Sequence, residues 1–315
     1  MTSETDETSK IDSGKFYNEY KGHPISDLTK FRDITLAERP DKPIIYLAGD
    51  SSLDNKFWLK ERISAGDDAS AIPSIYHSTL ASPITLIPDV AYWLNSALST
   101  RATCINTAIE ESLLRSRDSD LLPHDAFIRS NIRPNDILVV SVGSNDIALN
   151  PTVETSAHMF QLAWLTPRKS IEDGSAWGLP YFRNMFGTKI QEYIACLTEE
   201  TKPRAVIVCM IYFPLESGKG QQGWADGKLK VLGYERDPGQ LQAAIREMYR
   251  SATEEIKVEG VEVLPCALFE VLDGKDAADY VERVEPSTEG GRKMAEEFVR
   301  VLEGVLGEGV GKEGE

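Results

Sequence analysis

The chain has 315 residues, with 34 Lys and Arg against 50 Asp and Glu, for a formal net charge of −16. That balance disfavours a nucleic-acid backbone or an anionic membrane as a partner, because like charges repel. A hydrophobic content of 41% excludes a chain that is disordered throughout, and the length fits one large or two ordinary domains.

From the N-terminus, residues 1–20 are polar and acidic and read as a flexible tail without the apolar segment of a secretory signal. No apolar run approaches the roughly 20 residues of a membrane span. The four cysteines have no CxxC spacing, so they form neither a disulfide framework nor a metal knuckle. Together these features lead to the expectation of a soluble, cytoplasmic protein with reduced thiols, no metal and no cofactor. Residues 21–305 read as a single α/β domain, and the Gly- and Glu-rich 306–315 as a second flexible tail.

Five short apolar runs follow one another, at 44–48, 102–106, 137–142, 205–212 and 261–264. The first, third and fourth are continuously apolar and rich in β-branched residues, the pattern of parallel strands covered on both faces. Helix-period segments alternate with them: Phe182, Phe186, Ile190, Tyr193 and Leu197; Leu241, Ile245, Met248, Ala252 and Ile256; Met294, Phe298, Leu302 and Val305. This alternation predicts a doubly wound α/β domain, in which sites form at the carboxyl ends of the strands.

The residues just after the strands therefore carry the chemistry. Gly49-Asp50-Ser51-Ser52 follows the first run and Gly143-Ser144-Asn145-Asp146 the third. A serine at a strand-to-helix turn presents its hydroxyl near backbone N–H groups that stabilise an oxyanion, and Asn145 offers an amide donor to the same point. Before the last helical segment comes Glu282-Arg283-Val284-Glu285-Pro286-Ser287. Pro286 biases Glu285 to an extended conformation, and Ser287 suits an N-cap.

These three blocks resemble the SGNH (GDSL) hydrolase family, over most of the chain. The resemblance implies a flavodoxin-like three-layer α/β/α sandwich with a five-stranded parallel sheet. It also implies Ser51 as nucleophile and Asn145 as an oxyanion donor, with Gly143 opening the turn. Two features depart from the family. Its Asp-x-x-His block is here Glu282-x-x-Glu285, and the oxyanion glycine after its second strand is absent from Asn106-Thr107-Ala108-Ile109-Glu110-Glu111.

Imidazole suits general-base work at neutral pH. A carboxylate does so only if burial or like charge raises its pKa, to which Glu282, Asp50 and Asp146 would contribute. Of the four histidines (His23, His77, His124, His158), His158 is the better placed to replace the missing base, ahead of His77. Two long insertions, 150–180 and 213–237, overhang the strand ends as lid-like segments. Their Trp164, Trp177 and Trp224, with Asp50, Gly143, Asp146 and His158, are candidate contacts for a small organic substrate. The first reading is a serine ester hydrolase or acyltransferase. The alternatives are an isomerase, lyase or cyclase using the same pocket for acid/base chemistry, or a catalytically dead small-molecule binder. The oligomeric state is left open.

Overall fold

The computed structural model describes residues 10–64 and 71–307. Five strands form one sheet: β1 (Ile44–Gly49), β2 (Thr103–Asn106), β3 (Ile137–Ser141), β4 (Ala205–Met210) and β5 (Glu262–Ala267). They pair in the order β2-β1-β3-β4-β5, every neighbour parallel. This is the flavodoxin-like order, with its switch point between β1 and β3. The expected three-layer α/β/α sandwich is therefore the observed one.

Alternation along the strands builds the layers. Ile44, Tyr46 and Ala48 of β1 face a core that includes α1 (Ile25–Glu38), α3 (Pro123–Asn131), α4 (Ile190–Leu197) and α5 (Pro238–Ser251). Ile45 and Leu47 face the opposite core, filled from α2 (Val90–Leu98) and α6 (Thr288–Leu306). The 180–199 period becomes Leu179–Arg183 and α4 joined by a π-helical stretch, Asn184–Lys189.

The N-terminal expectation needs correction. Residues 1–9 lie outside the described residues, but 10–20 are packed. Ile11 is buried and bridges to Leu80, and Ser13–Asn18 is helical. Phe16 stacks on His23 with ring centroids 3.8 Å apart. The overall polarity of the segment hid two apolar anchors. At the other end, residues 308–315 of the expected tail lie outside the described residues.

The amino ends of the strands are held by a single buried residue, Asp136. Asp136 accepts from the Ile44 N–H at 2.8 Å and from the Arg133 N–H and guanidinium, while its carbonyl accepts from the Arg204 N–H. It thus clamps the starts of β1, β3 and β4. Asp136→Ala leaves the Arg204 bond to the main-chain carbonyl but orphans the Ile44 and Arg133 donors and the Arg133 charge, and should cost about 3–5 kcal/mol in denaturant unfolding. A loss under about 1 kcal/mol would refute that role.

Candidate functional site

The turn after β1 is closed by the Asp50 carbonyl, which accepts from the N–H groups of Leu53 (3.0 Å) and Asp54 (2.9 Å). Asp50 itself is buried beneath the turn. Its carboxylate accepts from the Ser144 hydroxyl at 2.6 Å and the Ser52 N–H at 3.1 Å. The β1 and β3 turns are thereby tied together. Ser51 is left at the surface of the turn facing a cavity, and its own N–H has no acceptor among the described residues.

Gly143 sits at φ +100°, where a side chain would also meet the Phe186 ring at 3.0 Å. It turns the chain into a short helical segment that carries Asn145 to the cavity wall. The Asn145 amide donates one hydrogen to the Ser112 carbonyl at 3.1 Å, leaving the second for a group in the cavity.

Glu285 arrives from the far end of the chain on a two-residue strand, Glu285–Pro286, paired antiparallel with Tyr280–Val281. The connecting tip places Glu282 and Arg283 at positive φ, 49° and 70°. Arg283 is buried and fixes this tip. Its guanidinium donates to Asp226 at 2.8 Å, to Glu235 at 2.7 Å and to the Leu215 carbonyl at 3.0 Å. Asn55, four residues past Ser51, donates to the Pro286 carbonyl at 3.1 Å and so joins the serine turn to the Glu285 strand. Ser287 caps α6, as expected.

Glu285 is only 2% exposed. One carboxyl oxygen, Oε1, accepts from the Trp224 indole N–H at 3.1 Å. The other, Oε2, is buried without a hydrogen-bond partner. The Ser51 side chain lies against this carboxyl and, with Trp224, favours its charged form. Burial outweighs both and, helped by the charges of Asp50 and Glu282, pushes the pKa up to about 7.

A second carboxyl repeats the pattern. Glu110, in the loop after β2, is buried; its Oε1 accepts from the Trp58 indole at 3.2 Å and its Oε2 has no partner. Burial first, then the charges of Glu285 and Asp54, push its pKa up to about 9. The sequence reading missed Glu110. The only signal was the Glu110-Glu111 pair standing where a glycine was sought.

The cavity encloses about 1310 Å³ of atom-free space, its open mouth included. Ser51, Asn145, Glu285 and Trp224 line it, with a wall built mainly of apolar side chains such as Met159, Leu162, Phe182, Leu229, Leu241 and Ile245. Both insertions contribute to this wall, in short helices rather than open loops: Val153–Phe160 in the first and Asp226–Val231 in the second.

Several expected contacts are elsewhere. Trp177 is 77% and Trp164 41% exposed, and Trp164 donates to the Val231 carbonyl at 2.7 Å. His158 stacks on Tyr181 outside the cavity wall. Asp146 is turned away to accept the N–H groups of Leu114 (2.6 Å) and Arg115 (3.2 Å). Glu282 accepts from the Trp224 N–H at 3.3 Å rather than facing the cavity, and Asp50 and Gly143 shape the turns beneath it. No histidine lines the cavity: His77 is exposed, and His23 and His124 are buried with their pKa values lowered by desolvation.

No family model and no curated protein matches this chain. Among solved structures it is similar to an extracellular lipase from Streptomyces rimosus (11% identity, 84% of this chain and 99% of the other, TM-score 0.43). It is likewise similar to phospholipase A1 from Streptomyces albidoflavus (11%, 84% and 99%, 0.41) and to a family 3 carbohydrate esterase from Clostridium thermocellum (14%, 84% and 98%, 0.37). Likeness at this level carries nothing about activity. Among the described residues no helix is long and apolar enough to cross a membrane.

The raised pKa of Glu285 links stability to pH. The folded chain holds this proton to about pH 7, against a usual 4.5. The stability gained by keeping the carboxyl neutral is full below about 4.5 and is lost as pH rises through about 7. Glu285→Gln, neutral throughout, should therefore raise the melting temperature more at about pH 8 than at about pH 5. Equal shifts at both would contradict the burial of a titrating carboxyl.

Proposed function

We propose that the chain is a serine hydrolase or acyltransferase of the SGNH type acting on small, largely apolar organic esters. Ser51 is the nucleophile and Glu285 the base. The observation that carries this reading is the Ser51 side chain against a buried carboxyl whose second oxygen is unpaired, at the polar end of an apolar cavity.

In the acylation step the Ser51 Oγ attacks the ester carbonyl carbon while Glu285 Oε2 accepts the hydroxyl proton. Charge developing on the carbonyl oxygen is met by the free Ser51 N–H and the second amide hydrogen of Asn145. Collapse expels the alcohol, which takes its proton from Glu285, and water or an acceptor alcohol then repeats the sequence on the acyl-serine. A carboxyl with a pKa of about 7 is matched to this shuttle at neutral pH, as an imidazole would be. When protonated it is neutral rather than cationic, so oxyanion stabilisation falls to the N–H donors alone.

One observation favours a second reading, acid/base chemistry without acylation. Glu110 and Glu285 are neighbouring carboxyls whose environments push their pKa values apart, to about 9 and about 7. Such a pair would suit an isomerase or lyase.

A fluorophosphonate probe separates the two. The hydrolase reading expects covalent labelling of the purified protein that Ser51→Ala abolishes. It also expects kcat/KM for an ester to rise with pH through about 7 and to fall about 10²–10⁴-fold in Glu285→Gln. No labelling, with a conversion that survives Ser51→Ala, would establish the second reading instead.

A further inference from the structure

Two charged side chains line the cavity among the described residues, Glu285 and Lys228. Lys228 has no ion pair among them, in a chain with an excess of 16 negative charges. The acidic groups on its own stretch are taken: Asp226 and Glu235 by Arg283, and Asp237 by Arg168. The Lys228 ammonium donates one hydrogen bond, to the Leu149 carbonyl at 2.6 Å, which leaves two of its three donors free. It is partly desolvated, which lowers its pKa.

Its place relative to the reacting end is fixed by one residue. The ammonium lies 5.5 Å from the Trp224 ring centroid, and the N–H of that same indole holds Glu285 Oε1 at 3.1 Å. One indole therefore separates an unpaired cation from the base. The other lining side chains are apolar or neutral polar apart from Glu285, so a ligand filling the cavity meets one cation that can compensate a negative charge. Two free N–H donors on a single ammonium match the two oxygens of a carboxylate. They do not match the charge of nearly two and the three oxygens of a phosphate group.

We infer that Lys228 binds a carboxylate of the substrate, so that the ester processed here belongs to an organic acid bearing a second, ionised carboxyl a few carbons from the ester. This rests on the hydrolase reading for the ester but not for the carboxylate. Turnover of monomethyl adipate, which has one ester and one carboxylate, is compared with dimethyl adipate. Calorimetric binding of the same two compounds is measured on Ser51→Ala. The monoester should be favoured about tenfold or more in both measurements, the size of one charge-assisted hydrogen bond. Lys228→Gln, which keeps a donor for Leu149, should bring that ratio to about one. A diester bound or turned over as well as the monoester, or a ratio unchanged by Lys228→Gln, would overturn the inference. Absence of turnover with the binding preference intact would count against the hydrolase reading alone.

Discussion

A carboxyl group buried with one oxygen unpaired is the constraint around which the site is organised. Removing a carboxylate from water is costly, and an isolated one normally responds by taking up a proton. At Glu285 the loss of water is offset only by one indole N–H and the nearby Ser51 side chain, with no cation bonded to it among the described residues. The outcome is a group poised between its two protonation states near neutral pH. An added salt bridge would have driven it back to a weak base.

Holding that balance requires rigid surroundings, because a small movement would admit water and return the carboxyl to its ordinary range. The fold supplies them from three directions. The β1 turn is locked to β3 through Asp50 and Ser144, the Glu285 strand is bonded to Asn55, and the Trp224 segment presses on the hairpin tip. At the last contact Gly223 lies so near Glu282 that an added side chain would sit 2.1 Å from its carbonyl oxygen. Each contact joins residues distant in the chain, so the acidity of one carboxyl reports on the assembly of the whole upper face of the sheet.

The framework was legible in the sequence because burial on both faces writes itself as continuous apolar runs. The runs at 44–48, 137–142 and 205–212 fall on β1, β3 and β4. Ser51, Asn145 and Glu285 were legible for a related reason: each stands directly after a strand or before a capped helix, positions that topology brings to one edge. Glu110 was not. It and Glu111 are adjacent and chemically alike, yet Glu111 turns outward to Tyr20 and Lys21 while Glu110 is drawn in beside Trp58 and Asp54. Partners some 50 residues away make that choice. The cavity wall was misread for another reason. Tryptophan stands out in a sequence, but Met159 and Leu162 line the space while Trp164 and Trp177 do not and are exposed.

Arg283 gives the architecture a mechanical property. Its guanidinium is shared between the hairpin that presents Glu285 and the segment from Asp226 to Glu235, which carries Lys228 and forms part of the cavity wall. The wall and Glu285 therefore belong to one lever. Whatever displaces the Asp226 segment outward pulls on backbone only two residues from Glu285. One guanidinium thus makes the cavity wall and the strand that carries the carboxyl a single mechanical unit.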